Sequence, residues 1–135
     1  HPFVKRAPEI DPAYAEFAKS VTTSATIEEL LCASDICISD YSSLIFEYSL
    51  FSRPMIFFAY DLDEYYDWRG FFYDYKQLVP GPIFNNTKDI VSYIKDIEHK
   101  FQPELVENFR KKYMSACDGH ATDRIMKLLL EDKTL

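Results

Sequence analysis

Between residues 35 and 59 the chain passes through three apolar stretches separated by short polar breaks. The first, DICIS (35–39), is a short β-prone run and predicts a buried strand. The second, SSLIFEYSLF (42–51), is apolar nearly all round and predicts a helix covered on most sides. The third, MIFFA (55–59), follows Pro54, which cannot donate to a ladder and suits the first residue of a strand. Its continuous apolar character is that of a parallel strand buried on both faces. Strand, helix and strand at this spacing form a βαβ unit.

The flanks extend the pattern. HPFVKRAPEIDP has three prolines in twelve residues and reads as an extended lead-in. YAEFAKSVTTS reads either as a short helix or as a strand ending near Val21. TIEELLCAS opens on Thr26 with Glu29 three places on, a capping box, and Ile27, Leu30 and Leu31 give a helix face. Taken with a Val21 strand, this helix makes a second βαβ unit, so the expected fold is α/β, a Rossmann-like parallel sheet flanked by helices.

Regularity lapses over 61–86, where acids, aromatics, Gly and Pro alternate. A long irregular segment in a compact domain is usually functional or disordered, and its aromatic richness argues against disorder. Residues 61–82 are expected to form an ordered loop with short helical turns and partly exposed aromatics. Three helices follow. TKDIVSYIKDIEHKF spaces Ile90, Ile94, Ile97 and Phe101 helically, with Thr87 as N-cap. PELVENFRKKYM starts on Pro103 in a first-turn position, and ATDRIMKLLLED puts Ile125, Leu128 and Leu129 on one face. Gly119 is expected to end the helix before it.

The 135 residues amount to one domain, long enough for a real core. With 15 basic and 22 acidic residues the formal charge is −7, which argues against nucleic acid as a partner. A small phosphate ligand survives that balance because it needs only local donors. The crowding of Tyr between 60 and 75 points to a surface that meets something. Cys32, Cys37 and Cys117 fit neither a disulfide framework nor a zinc site, and the first two read as small core residues of a protein in a reducing cytoplasm. No metal or cofactor is expected. No apolar run is long enough to cross a bilayer. The chain starts on His1 without an initiator Met, as expected of a piece of something longer.

The chemistry concentrates in SDYSS, at the expected carboxyl end of the first buried strand, where parallel sheets bind ligands. A helix N-terminus offers free N–H groups and a partial positive charge, and Ser42 and Ser43 add hydroxyls. Together these can hold a phosphate or diphosphate; no G-x-G-x-x-G is present. Equally, Asp40 or Ser42 can simply cap the helix.

The order of motifs is more specific. An apolar strand, SDYSS, an apolar helix carrying an acid, RP, an apolar strand, YDLDEY, RGF and PGP follow one another from 36 to 82. This closely resembles the C-terminal half of CDP-glycerol glycerophosphotransferases, the teichoic acid polymerase and primase group of Gram-positive bacteria. His1-Pro2 matches a further motif of that family, and DGHATDRI resembles its C-terminal segment, so the resemblance covers essentially the whole chain.

The resemblance implies the donor-binding C-terminal half of a GT-B architecture, two Rossmann-like domains facing across a cleft. It implies that residues 1–135 are one CDP-donor-binding domain without its first strand and without the acceptor domain. Ser42 and Ser43 take the role of holding the donor diphosphate. Glu47 stands where the family usually has Asp, either accepting bonds from donor hydroxyls or buttressing the turn. His1 matches a histidine that stabilises charge on the departing CMP or protonates it. Arg69, in RGF, either contacts phosphate or acceptor or pairs locally with Asp61 or Glu64. Arg53 falls at the far end of the sheet, where structural pairing is expected. Tyr60, Tyr65 and Trp68 either line the cleft or fill a small satellite core.

The implied partners are a CDP-glycerol donor, with CDP-ribitol as a variant, and a lipid-linked glycerophosphate acceptor. The implied location is cytoplasmic, peripheral at the inner face of the cell membrane. A contrasting expectation is a non-catalytic α/β module that binds a protein through its aromatic segment.

Overall fold

In the computed structural model, which describes residues 9–21 and 24–131, the chain divides into two units, 1–34 and 35–135. The first holds a 3-10 turn at Pro12–Tyr14, capped by Asp11, whose Oδ1 accepts from Ala13 N at 2.8 Å. Helix α1 (Ile27–Ala33) follows, and both bonds of its capping box are present: Thr26 N to Glu29 Oε2 at 2.8 Å and Glu29 N to Thr26 Oγ1 at 3.2 Å. The ambiguous segment resolves against a strand. Phe17 and Ala18 N–H groups return to Tyr14 O, and those of Ser24 and Ala25 to Val21 O, so local turns consume the groups a ladder needs. The second βαβ unit is therefore absent among the described residues. Cys32, expected in the core, is exposed, while Cys37 is buried.

The second unit carries the sheet. Strand β1 (Cys37–Ser39) leads through the SDYSS turn into helix α2 (Leu44–Tyr48), which tightens to a 3-10 turn over Ser49–Phe51. Strand β2 (Met55–Phe58) returns parallel to β1, pairing Cys37 with Met55 and Ser39 with Phe57. Helices α3 (Leu62–Trp68) and α4 (Tyr75–Leu78) interrupt the stretch expected to be irregular, in keeping with the short helical turns foreseen there. Within that stretch a third parallel strand, β3 (Ile83–Phe84), pairs with β2, giving the order β1-β2-β3. β2 lies in the middle, and Met55, Ile56 and Phe57 are at most 1% exposed, as the unbroken apolar run requires. β1 is covered on one face only, since Ile38 stays 51% exposed.

Helix α2 also departs from the all-round burial expected of it. Ile45, Tyr48 and Ser49 are buried, whereas Leu50 and Phe51 reach solvent. The buried Ser49 hydroxyl is satisfied by donating to Phe46 O at 2.5 Å. The helix stops at Ser52, in the left-handed region with φ 53° and ψ 33°. That conformation costs a non-glycine residue about 1–2 kcal/mol, and glycine avoids it while losing roughly 0.5–1 kcal/mol in chain entropy. Ser52→Gly is expected to raise stability by about 0.5–1 kcal/mol, measured by urea melts. Arg53 next to it lies over the Phe51 ring at 5.3 Å and interacts with Tyr48, the structural role expected of it. Burial drives the Tyr48 phenol up to about 12, against the opposing pull of Arg53.

Helices α5 (Thr87–Lys95), α6 (Ile97–Lys100), α7 (Pro103–Tyr113) and α8 (Ala121–Glu131) complete the unit. Asn86, not Thr87, is the N-cap of α5, accepting from Asp89 N at 2.9 Å. The single helix expected over 87–101 breaks at Asp96, with φ −124° and ψ 27°. Helix α7 ends at Tyr113 rather than at Gly119; the glycine, at φ +83°, serves the turn into α8 instead. In that turn Asp118 takes two bonds from Arg124 Nη1, both 2.8 Å, and one from His120 N. The Arg124 guanidinium holds the Asp118 carboxyl below its ordinary range. Ile125, Leu128 and Leu129 do share α8, but all three are more than half exposed.

Candidate functional site

Asp40 to Ser43 turn the chain from the carboxyl end of β1 into α2. The two serines there differ. Ser42 Oγ accepts from Leu44 N at 3.2 Å, so one hydroxyl closes the turn locally. Ser43 occupies the N-cap of α2, yet its side chain makes no capping bond. Both serines are exposed, so neither hydroxyl is a buried polar group in need of a partner. Glu47, one turn into α2, is also exposed.

What holds this turn comes from far along the chain. The Tyr41 ring stacks on Tyr65 with centroids 3.9 Å apart and planes 28° apart, and meets Tyr75 edge-on at 5.3 Å. Its hydroxyl donates to Asp61 Oδ1 at 2.7 Å. The Tyr75 hydroxyl donates to the main-chain carbonyl of Asp40 at 2.8 Å, and Tyr75 is 2% exposed. Tyr75 N in turn donates to Tyr66 Oη at 3.1 Å. Phe71 sits among these rings, 5.0 Å from Tyr65 and 5.2 Å from Tyr75. Such ring pairs are worth about 0.5–1.5 kcal/mol each beyond their area. Burial, and for Tyr41 the bond to Asp61, push both phenols above their usual range, so both stay protonated donors.

Two hollows flank the turn. One, about 480 Å³, opens at the carboxyl ends of β1 and β2 and is lined by Ser39, Asp40, Tyr60 and Asp61 among others. Its lining contains two carboxylates and no cation. The other, about 200 Å³, is lined by Ser42 and Ser43 together with Phe46, Phe71, Phe72 and Tyr75. The serines therefore face the aromatic segment rather than the carboxylate-lined cleft, where a bound anion would meet repulsion.

Of the residues singled out in the sequence, Ser42, Ser43 and Glu47 share one turn and the helix it opens. Arg69 ends α3, exposed, and pairs with neither Asp61 nor Glu64 among the described residues. His1 lies outside the described residues. Tyr60 borders the cleft and Tyr65 belongs to the ring cluster, while Trp68 is 88% exposed. Phe72 and Tyr73 are exposed as well, in line with the partly exposed aromatics foreseen for 61–82. The sequence does not reveal Tyr41, Asp61 and Tyr75 as holders of the turn. The only signal for them is the Tyr inside SDYSS and the density of Tyr downstream, which says nothing of who bonds to whom. Among the described residues no cluster of His, Cys, Asp and Glu suits a metal ion.

The family model described as CDP-glycerol:poly(glycerophosphate) glycerophosphotransferase matches residues 1–131. The chain belongs to this family. Among its relatives, the teichoic acid poly(ribitol-phosphate) polymerase of Bacillus spizizenii is 39% identical over 93% of this chain and 20% of its own length. The teichoic acid glycerol-phosphate transferase of Staphylococcus aureus is 38% identical over 86% of the chain and 31% of its own. The solved structure of the wall teichoic acid polymerase TagF superposes with a TM-score of 0.76 at 34% identity, over 89% of this chain and 30% of that one. This chain thus spans a fifth to a third of these relatives. The likeness to TagF bears out the α/β class and its place in a GT-B architecture. No helix among the described residues is long and apolar enough to cross a membrane.

Proposed function

We propose that this chain is the CDP-donor-binding domain of a glycerophosphotransferase that builds teichoic acid or a related cell-surface polymer. The observation that carries the reading is the serine turn. The family match runs through this turn, and Ser42 and Ser43 follow a strand's carboxyl end, exposed, with the Ser43 hydroxyl making no capping bond. Ser42 and Ser43 hold the donor diphosphate through their hydroxyls and adjacent N–H groups. Glu47 accepts from donor hydroxyls, and Arg69, an exposed cation, meets phosphate of donor or acceptor. His1 supplies the charge that lets CMP depart. In the reaction an acceptor hydroxyl attacks the glycerol-bearing phosphorus; the new O–P bond forms as the P–O bond to CMP breaks. The acceptor proton passes to a base that the acceptor-side domain provides. A lipid-linked acceptor would place the intact enzyme at the inner membrane face.

A ribitol donor is the second reading, favoured by relatives named for ribitol phosphate at 39% and 37% identity. The test is CMP release by the full-length protein with CDP-glycerol or CDP-ribitol and a phosphate-polymer acceptor. Release with CDP-glycerol is expected, and residues 1–135 alone are expected to bind CDP without turnover, because this reading assigns the acceptor groups that proximity and base catalysis need to the rest of the intact enzyme. Release with CDP-ribitol alone selects the second reading. No release with either donor, from folded protein that also fails to bind CDP, overturns both.

A further inference from the structure

We propose that Tyr75 is a positioning residue for the donor: its hydroxyl, bonded to the Asp40 carbonyl, holds the turn that presents Ser42 and Ser43. The inference rests on the donor site proposed above. The bond is 2.8 Å long, and Tyr75 is itself fixed by Tyr66 through its N–H and by Phe71 and Phe57 through its ring. The Asp40 carbonyl shares one rigid peptide plane with Tyr41 N, so holding it fixes the plane from which the chain runs on to Ser42 and Ser43. On the other side Tyr41 is tied to Asp61 and stacked on Tyr65. The turn therefore has two remote anchors, 20 and 35 residues downstream, besides the local bonds from Leu44 N to Ser42 Oγ and from Phe46 N to Ser43 O. The Tyr75 bond is not a helix cap, because its O–H donates to a carbonyl and cannot satisfy the N–H groups that open α2. The bond constrains the approach to the helix, which is where a diphosphate would be met. Tyr75 also lines the hollow that contains both serines, yet its hydroxyl is turned to the main chain rather than held free for a ligand.

The test is Tyr75→Phe in the full-length protein, which keeps the ring and its packing and removes only the hydroxyl. CDP is the binding probe. The dissociation constant for CDP and the KM for the CDP-alditol are expected to rise about tenfold, with kcat within about twofold of wild type. In a Ser42→Ala/Ser43→Ala background the same change is expected to add a clearly smaller loss, because only the N–H groups of the turn are then left for Tyr75 to position. A purely structural role lowers the melting temperature and leaves CDP binding by the folded fraction unchanged, and that result overturns the proposal. A loss that persists undiminished in the serine-free background overturns it too. If the serine double variant itself binds CDP like wild type, the donor reading fails first, and the two failures are told apart by which variant is silent. Should Tyr75→Phe fold poorly, Tyr41→Phe removes the opposite anchor while keeping the stack, and the same tenfold weakening, coupled to the serines, is expected. Wild-type CDP affinity in that variant counts against the proposal equally.

Discussion

Replacing Ser42 and Ser43 together with alanine is expected to lower the affinity of the full-length protein for CDP by about a hundredfold or more. Each hydroxyl lost to a charged group removes on the order of 1.5–3 kcal/mol, and two such losses reach that factor. The structure separates this outcome from simple helix capping. Ser42 accepts from Leu44 N, so Ser42→Ala alone is expected to cost about 1 kcal/mol of stability as well. Ser43 makes no capping bond, so Ser43→Ala alone should leave the melting curve where it was and still weaken CDP. Isothermal titration and thermal melts on the two single variants and the double variant give the answer. A Ser43→Ala protein that binds CDP like wild type removes this residue from the donor site.

The largest expected effect on stability belongs to Gly81, in PGP. A Cβ at this position would lie 2.1 Å from the Met55 carbonyl oxygen and 3.1 Å from its carbon, with Phe57 Cε2 at 3.3 Å. Met55 is 1% exposed and opens the central strand, which pairs on both sides. Neither backbone can yield without breaking a ladder, since Phe57 N bonds to Pro82 O at 2.9 Å one residue further on. Gly81→Ala is expected to cost about 3 kcal/mol or more, at the upper end of overpacking effects. The urea midpoint should fall by on the order of 1–3 M. A midpoint within experimental error of wild type would show that the PGP turn shifts freely.

The sequence disclosed the parts of this fold that are local. The unbroken run from Met55 to Ala59, the reciprocal pair Thr26 and Glu29 and the Pro103 start of a helix each carry their structure in a few neighbouring residues. It misled where two backbone conformations differ by little. YAEFAKSVTTS has the apolar content of a strand, but local turns satisfied its amides first. Ile83–Phe84 is only two residues long and sits after PGP, too short for any period to register, so β3 was hidden inside an irregular stretch. Ile97 and Phe101 continue the helical spacing of α5, yet spacing does not reveal the break at Asp96. The serine turn was legible as a motif. Its fastening was not, because a hydroxyl reaching a carbonyl across 35 residues leaves no periodic trace.

That separation has a consequence for how the turn comes into being. By the time a growing chain has reached Ser43 it carries both hydroxyls, the strand before them and none of the groups that fix their bearing. Asp61 is still 18 residues away and Tyr75 another 14. Closing loops of this length costs entropy that only the completed ring cluster recovers. The fastening of the serine turn is thus complete only once residues 61–75 are in place, and any change that loosens that segment reaches it without touching a single residue of SDYSS.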